Sequence, residues 1–270
     1  MILTFCIANQ TPMFPLPDDI PVVWLGNGRP ITNGNHVIIH PIEFDMEADT
    51  WHVFLGGSSG AFAIERILTN NIVEWSENDL ISIVHYRKFT TCKQVGHAAS
   101  NFPGMRISHP KDLTSFDLHA IQNELNTPYL LAQPWTGMGV YHQYASSHCA
   151  PDLLRYIAIA VEFNIISWEQ SIEMLNYNVI IPGGVECGIY PIVVFIEMIQ
   201  KFRKICLEFL ALHRPVSIKP YNRRALAFCN ERLGGYLLHK RLLQEYGGEI
   251  PLEILGYMVN VTESDRYTSA

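Results

Sequence analysis

The sequence contains no Cys-x-x-Cys pair, no uncharged apolar run of 18 residues and no excess of basic residues. Its six cysteines are scattered along 270 residues, so neither a zinc ribbon nor a disulfide framework is indicated. A net charge of −7 at pH 7 argues against nucleic acid as a partner, because duplex binding requires a basic face. We therefore expect a cytoplasmic protein with reduced thiols, working at most close to a membrane surface.

The chain also lacks internal repeats, low-complexity tracts and an evident linker. Hydrophobic residues make up 48% of it and charged residues only 17%, a balance typical of a compact enzyme-like domain. The apolar start, Met1–Ala8, has no preceding basic residues and predicts a core strand, not a signal peptide. We predict one domain over residues 1–270, with a sheet region over 1–135 and a mainly helical region over 136–270.

The hydrophobic pattern places strands in the first third and helices in the last half. The predicted strands are Ile2–Ala8, Pro21–Leu25, His36–His40, Trp51–Leu55, Leu80–Tyr86, Asn178–Ile181 and Leu252–Val259. The predicted helices are Gly60–Asn70, Lys111–Leu125, Val140–Ser147, Pro151–Phe163, Trp168–Leu175, Ile189–Leu212 and Tyr221–Glu245. This order predicts an α/β fold with a mixed sheet and a helical C-terminal part.

One apolar run ends abruptly in hydrogen-bonding and cationic side chains. After Ile81–Val84 come His85, Tyr86, Arg87 and Lys88. In open α/β sheets, ligands bind at the carboxyl ends of strands, and these positive charges suit an anionic ligand such as a phosphate. The alternative is a strand end whose charges are merely solvated.

A second pattern lies near the C-terminus. At 100° per residue, Tyr221, Arg224, Phe228, Glu231 and Arg232 share one helical stripe. Charges beside a buried face need partners, either each other or a ligand. The stripe therefore predicts part of a binding site, and the alternative is a salt bridge that pins the helix.

A third pattern combines aromatic rings with an imidazole. On a helix, Tyr141, Tyr144 and His148 would align at spacings of three and seven residues. Such rings suit stacking on a nucleobase or a sugar. Core packing is the alternative explanation of the same stripe.

Two further patterns allow other chemistry. Gly56–Gly60 matches Gly-x-Ser-x-Gly after the predicted strand Trp51–Leu55, which would expose Ser58 as a nucleophile, with His109 or His148 as its base. A tight turn without a ligand explains the same residues. The alternating carboxylates of the segment 45–49 could bind a divalent cation, although an acidic solvated turn explains them as well.

Several of these residues, taken in order, resemble a bacterial family long known only as a domain of unknown function. Its members are described as capsular or exopolysaccharide glycosyltransferases. The residues that carry the resemblance are Met13–Val22, Glu65, His85-Tyr86-Arg87-Lys88 (the family's His-Tyr-Arg-Arg hallmark), Tyr141-x-x-Tyr144, Ser147-His148, Tyr177-Asn178, Tyr221, Arg224, Phe228, Glu231 and Arg232. Two departures are Lys88 in place of the second hallmark arginine and Asn9-Gln10 in place of a His-Lys step.

The resemblance implies a GT-A-like fold, in which one Rossmann-type mixed sheet is flanked by helices. It also implies a hexosyltransferase-like activity in surface polysaccharide synthesis, with a nucleoside-diphosphate sugar as donor, most simply a UDP-sugar, and a saccharide or lipid-linked saccharide as acceptor. Residues 1–135 would then bind the donor and residues 136–270 would face the acceptor. The chain has no Asp-x-Asp pair, so no cofactor is expected, although the resemblance leaves room for Mn²⁺ or Mg²⁺.

These observations give a first assignment of roles. We expect Arg87, with Arg224 or Arg232, to offset the charge of the departing diphosphate. Glu231 is the first candidate for the catalytic carboxylate and His85 the second. The other predicted substrate contacts are Tyr86, Lys88, Glu65, Tyr141, Tyr144, His148, Asn178 and Tyr221. Two alternatives stay open: a serine hydrolase using Ser58, and an inactive saccharide- or nucleotide-binding module.

Overall fold

A mixed sheet flanked by helices forms the centre of the computed structural model, which describes residues 1–26, 28–100, 105–213 and 221–264. The strands are β1 (Ile2–Ala8), β2 (Val22–Trp24), β3 (Ile38–Ile39), β4 (Leu80–His85), β5 (Lys88–Thr91), β6 (His97–Ala98), β7 (Met105–Ser108), β8 (Leu131–Ala132), β9 (Trp135–Thr136), β10 (Val179–Ile180), β11 (Gly188–Pro191) and β12 (Leu255–Val261). The main sheet has the order β3-β2-β1-β4-β5-β12-β7-β6, with β11 beside β4 and β8 beside β12. β9 and β10 form a separate two-stranded antiparallel sheet.

Helices cover the sheet and fill most of the second half of the chain. They are α1 (Met46–Thr50), α2 (His52–Leu55), α3 (Ser58–Thr69), α4 (Leu118–Asn123), α5 (Val140–Ala145), α6 (Ala150–Glu162), α7 (Trp168–Asn176), α8 (Ile192–Leu212) and α9 (Ala225–Glu245). Short 3₁₀ turns occupy Pro41–Glu43, Pro110–Leu113, Tyr221–Arg224 and Leu252–Ile254. Within the described residues, no helix is long and apolar enough to cross a bilayer.

Strand direction brings several carboxyl ends to one edge of the sheet. β1 pairs in parallel with both β2 and β4. β5 returns antiparallel to β4, and β12 runs antiparallel to β5. β12 therefore points the same way as β4, and β7 lies parallel to it. Loops that follow β1, β4 and β12 consequently meet at the same edge, where ligands of such sheets bind.

Side chains of β1 alternate between two hydrophobic cores. Phe5 and Ile7 point into the larger core, which is built with α3, α6, α8 and α9. Cys6 and Ala8 point into a smaller core on the opposite face, beneath Phe89 of β5. Because both faces of the sheet are covered, its central strands are almost continuously apolar, and this explains why β1 is evident in the sequence.

The predicted fold class is confirmed: a mixed sheet flanked by helices, with a helical C-terminal part. The bounds predicted for β1 agree with the structure. The strand predicted over Trp51–Leu55 is wrong, since residues 52–55 form α2. A short apolar run fits a strand and a buried helix equally well, and here the chain continues from α1 into a helical turn that ends at Gly56.

Two predicted helices also needed correction. The helix predicted to start at Ile189 starts at Ile192, because Pro191 is extended (φ −55°, ψ 136°) and Gly188–Pro191 pairs with β4. The helix predicted over Lys111–Leu125 is divided into a 3₁₀ turn and α4. Asp117 makes the second start, since its carboxylate accepts hydrogen bonds from the backbone N–H groups of the first turn of α4.

Candidate active site

A cavity of about 520 Å³ opens at the carboxyl ends of β1 and β4. The loop between β10 and β11, the turn between α2 and α3, and the first turns of α9 close its other sides. Its polar lining residues are Asn9, Gln10, His52, His85, Tyr86, Arg87, Lys88, Glu186, Arg224 and Glu231. Residues distant in the sequence thus share one concave, mixed-charge surface of the kind that binds small ligands.

The β4–β5 hairpin supplies four neighbouring side chains to this cavity. His85 ends β4, Lys88 begins β5 directly opposite it, and Tyr86 and Arg87 form the two-residue turn between them. The Tyr86 N–H donates to the carbonyl of Ile7 over 3.0 Å, and the Tyr86 carbonyl accepts from the N–H of Met13 over 2.7 Å. The turn is therefore anchored to β1 and to the segment that follows β1.

His85 is held as a neutral imidazole. Its Nε2 lies 2.8 Å from the backbone carbonyl of Glu186, so Nε2 carries the proton and Nδ1 keeps its lone pair. Burial lowers the pKa of His85 to about 4, helped by the charges of Lys88 and Arg87 and opposed by the Glu186 carbonyl and Glu231. At pH 7 the imidazole is consequently uncharged.

Arg224 enters the cavity from the 3₁₀ turn that precedes α9. Its guanidinium carbon lies 5.0 Å from the ring centroid of Tyr221 and 5.7 Å from that of Phe228, within cation–π range. The other side of the side chain passes Gly56, where a Cβ would lie 3.4 Å from Arg224 Cδ. Gly56 has φ +53°, which a residue with a Cβ adopts only under strain. Two rings and one glycine therefore position Arg224.

Glu231 lies further along α9 and is an ionised carboxylate. The N–H of Gly183 donates to Oε1 over 3.3 Å, and Arg232 Nη1 donates to Oε2 over 2.5 Å. Burial acts to raise the pKa of Glu231, but Arg232, Lys88 and the Gly183 N–H outweigh it and lower that pKa. Gly183 has φ +79°, which disfavours any residue with a Cβ, and a Cβ there would lie 2.9 Å from Cys187 Cβ, so this contact depends on a glycine.

Arg232 has a different position from Arg224, although the sequence puts both in one stripe. Arg232 does not line the cavity. Its Nε and Nη2 donate to Oε1 of Gln143 over 3.1 and 3.0 Å, and its Nη1 contacts Glu231 and the carbonyl of Phe228. Arg232 therefore connects α9 to α5 and orients Glu231.

The aromatic stripe of α5 lies behind the cavity and does not line it. Tyr144 is fully buried, and its hydroxyl donates to the carbonyl of Ala225 over 3.5 Å. His148 stacks on Phe228 with 4.1 Å between ring centroids. Tyr141 contacts the ring of His142. The positions of Tyr144 and His148 match the packing alternative, because both side chains contact the start of α9.

Glu65 and Asn178 also lie outside the cavity lining. Glu65 is buried between α3 and α8, where it accepts from Gln200 Nε2 over 2.9 Å and lies 3.4 Å from Arg203 Nη2. The same arginine pairs with Asp45, so that carboxylate is buried in an ion pair and is not part of a solvated acidic turn. The carbonyl of Asn178 accepts from the N–H of Gly137 over 2.9 Å. The geometry gives Glu65 and Asp45 a place in the core ion pairs.

Glu186 is a cavity carboxylate that sequence reasoning missed. It follows Pro182-Gly183-Gly184 and precedes β11, on the loop that faces β4. Burial raises the pKa of Glu186 to about 7, with Glu231 acting in the same direction and Ser58 and Lys88 against it. The available signal was a carboxylate after a Pro-Gly-Gly turn. That signal is weak, because the apolar residues that follow it are typical of a helix as well as of a strand.

The geometry does not support the alternative of a serine hydrolase. A helix, α2, and not a strand leads into Gly56–Gly60, and Ser58 is fully buried in the first turn of α3. Its hydroxyl donates to Glu186 Oε1 and accepts from Asn230 Nδ2 over 2.9 Å. A buried hydroxyl with both partners made is not an exposed nucleophile. His109 contacts the backbone of Lys111 and does not line the cavity.

Among the described residues, no three His, Cys, Asp or Glu side chains come together as ligands of a metal ion. Residues 46–49 of the acidic segment lie in α1, and Asp45, which directly precedes that helix, pairs with Arg203. Asp45 is therefore part of an ion pair in the core.

The fold is similar to that of part of a solved glycosyltransferase structure. No protein-family model matches the sequence, and a search of curated proteins gives no match. Among solved structures, the apo form of the bifunctional glycosyltransferase WbbM is similar over 97% of this chain, with a TM-score of 0.71 and 14% sequence identity. The chain spans 45% of the length of that protein. This protein thus has a glycosyltransferase-like fold.

Proposed function

We propose that this protein is a glycosyltransferase that moves a sugar from a nucleoside-diphosphate donor, a UDP-sugar, to a saccharide acceptor. One observation carries the proposal: Arg87 of the β4–β5 turn and Arg224 at the start of α9 line the same cavity. That cavity lies at the strand ends where α/β sheets bind nucleotides. The glycosyltransferase-like fold, shared with a bifunctional glycosyltransferase, supports the same conclusion.

The cationic side of the cavity suits a departing diphosphate. Arg87, Lys88 and Arg224 supply two guanidinium groups and one ammonium group, and guanidinium groups bind phosphate oxygens with two parallel hydrogen bonds. Charge that develops on the leaving oxygen is stabilised best by groups already held in place. The rings beneath Arg87 (Tyr86, 5.5 Å from the guanidinium carbon) and beside Arg224 provide that restraint.

The acidic side suits the transferred sugar. Glu231 stays ionised through its contact with Arg232. In our proposal it is the catalytic carboxylate that faces the anomeric carbon, where positive charge develops as the bond to the diphosphate breaks. His85 has a pKa near 4, and its Nε2–H is already donated to the Glu186 carbonyl. We therefore assign His85 the role of holding the loop at Glu186 and assign proton transfer to a carboxylate.

The acceptor side and the pathway are the finer parts of the proposal. Resemblance to the capsular and exopolysaccharide family suggests a saccharide or lipid-linked saccharide acceptor and a GT-A-like donor site in residues 1–135. The helical part, residues 136–270, would then face the acceptor. Asn9 and Gln10 line the cavity where that family carries a His-Lys step, so any donor contacts at this position are made by neutral amides.

The competing proposal is an inactive module that binds a nucleotide or saccharide, and the neutral pair Asn9-Gln10 is what favours it. Thermal unfolding with UDP, UDP-glucose, UDP-galactose and UDP-N-acetylglucosamine tests binding, since a ligand specific for the folded state raises the midpoint. Release of UDP from the same donors tests catalysis. We expect stabilisation and turnover; stabilisation without any UDP release would favour the inactive module.

A further inference from the structure

Glu186 is anchored at two points before any ligand binds. Its backbone carbonyl accepts the Nε2–H of His85, and its Oε1 accepts the hydroxyl of Ser58. These two partners belong to β4 and α3. A loop carboxylate held from two directions has the fixed geometry that a reacting group requires.

A buried chain of hydrogen bonds lies behind Ser58. The hydroxyl of Tyr156 donates to Asn230 Oδ1 over 2.7 Å, and Asn230 Nδ2 donates to Ser58 Oγ over 2.9 Å. The Ser58 hydroxyl accepts this hydrogen bond and donates its own single hydrogen to Glu186 Oε1. The three hydrogen bonds run in the same direction, from α6 through α9 and α3 to the cavity.

This chain of hydrogen bonds is unusual because the side chains that form it are buried. Tyr156 and Ser58 are 0% exposed and Asn230 is 1% exposed. Polar side chains in such surroundings persist only when they are fully paired, and a hydrophobic core has no need of them. Together, Tyr156 and Asn230 orient the Ser58 hydroxyl so that its hydrogen is donated to Glu186.

The direction of the chain distinguishes the two carboxyl oxygens of Glu186. Oε1 can only accept, since the Ser58 hydrogen occupies it. Oε2 lies on the side of Gly57, where a Cβ would approach it to 3.6 Å, and both residues line the cavity. Oε2 is therefore the oxygen on which a proton can be placed.

Charged and titratable groups surround Glu186. The buried thiols of Cys187 and Cys206 and the buried phenols of Tyr156 and Tyr190 stay neutral, because burial raises their pKa values. The groups that ionise nearer pH 7 come from three elements. Glu231 of α9 repels its negative charge, Lys88 of β5 attracts it, and His85 of β4 is neutral. With burial, the balance leaves the pKa of Glu186 at about 7. A general base is most effective when its pKa lies near the working pH, and two carboxyls with separated pKa values usually have separate roles.

We propose that Glu186 is the catalytic base, accepting the proton of the acceptor hydroxyl at Oε2; this rests on the proposed glycosyl transfer. In the step, the acceptor O–H bond breaks and its proton moves to Glu186. The acceptor oxygen bonds to the anomeric carbon as the bond from that carbon to the diphosphate breaks. The nucleoside diphosphate leaves with that electron pair. Ser58, Asn230 and Tyr156 are positioning residues.

Glu186→Gln gives the first test, because glutamine keeps an oxygen for the Ser58 hydroxyl and the shape of the side chain. UDP release from the three UDP-sugars is measured with water as acceptor and again with octyl β-D-galactoside. We expect the rate to fall about 10²- to 10⁴-fold while the affinity for UDP changes little. Glu77→Gln, at an exposed glutamate before β4, is the matched control and should keep full activity.

Ser58→Ala gives a readout that a purely structural role would not move. In the wild type, log kcat should rise with pH through a limb near pH 7, because the carboxylate is the active form. Loss of the Ser58 hydrogen bond, which lowers the pKa of Glu186, should shift that limb to higher pH. In Glu186→Gln the limb should be absent. An unchanged limb in either variant overturns the assignment.

The outcomes also separate this inference from the proposed function. A wild-type protein that neither binds UDP nor releases it contradicts the proposed function and the inference with it. A wild-type protein that releases UDP, together with a folded Glu186→Gln variant of full activity, contradicts the inference alone. Binding of UDP without release from any of the donors also overturns it, since a base has no role without the reaction.

Discussion

The Nε2–H of His85 donates to the backbone carbonyl of Glu186 over 2.8 Å. The last residue of β4 therefore holds the loop that carries a cavity carboxylate. His85 is followed by the turn residues Tyr86 and Arg87 and faces Lys88 across the hairpin. One residue therefore connects the anionic and cationic sides of the cavity.

His85→Phe should show that this hydrogen bond positions the loop. Phenylalanine retains a ring but cannot donate, and a hydrogen bond of this kind contributes about 0.5–1.5 kcal/mol. We expect kcat for UDP release to fall about 3- to 10-fold with little change in KM, as measured by steady-state kinetics. A variant with wild-type kcat would show that the bond is dispensable.

The depressed pKa of His85 also has a consequence for stability. The unfolded protein protonates this histidine near pH 6.5, whereas the folded protein does so near pH 4. Between these values the unfolded state binds more protons, so this residue makes stability fall as pH falls from 6.5 to 4. Chemical denaturation at several pH values should show a weaker acid sensitivity in His85→Phe; an unaltered profile would contradict the assigned neutral state.

Gly56→Ala should damage the site through Arg224. The positive φ of Gly56 strains any residue with a Cβ, at a cost of more than about 1 kcal/mol of unfolding free energy. Relief of that strain would move the turn against which the Arg224 side chain packs, 3.4 Å from a Cβ at this position. We expect a lower melting temperature and weaker UDP binding. Gly28→Ala is the matched control, because a Cβ there meets nothing within 4 Å; equal losses in both variants would count against the account.

Glu65→Ala should separate folding from binding. Removing this carboxylate leaves buried Arg203 without one of its ion-pair partners, and breaking a buried pair costs about 3–5 kcal/mol. Urea denaturation should show that loss, while the UDP affinity of the protein that remains folded stays unchanged. A large loss of UDP affinity at unchanged stability would restore the substrate-binding role suggested by the family resemblance.

Transfer should not depend on a divalent metal ion, because in our proposal cationic side chains offset the diphosphate charge. We expect UDP release to continue at a similar rate in excess EDTA. Complete loss of activity in EDTA, with recovery on addition of Mn²⁺, would be the contrary result.

The strand ends of the site could be predicted from sequence because their signal is local. β1 and β4 are buried on both faces and are thus almost continuously apolar, and the polar residues that end β4 stand out against that run. Trp51–Leu55 gave no such contrast. Its apolar residues fit two structures equally well, and the packing of the neighbouring helices decided between them.

The far side of the cavity could be predicted only in part, because it depends on long-range partners. Helical periodicity placed Arg224 and Arg232 on one stripe, but Gln143 of α5 turns Arg232 away from the cavity. Glu186 is held in place by a hydrogen bond from Ser58, which lies 128 residues away along the chain. Neither relationship leaves a mark in the local sequence pattern.

The most direct test of the account compares UDP with uridine in binding to the wild type, Arg87→Ala and Arg224→Ala by isothermal titration calorimetry. Arg66→Ala, at an exposed position of α3, is the control. We predict that each cavity variant loses affinity for UDP while its affinity for uridine stays unchanged. The rate of UDP release should fall by an amount that corresponds to a loss of about 2–4 kcal/mol of transition-state stabilisation. Wild-type UDP affinity and activity in both folded cavity variants would contradict the central claim that the two arginines bind one diphosphate.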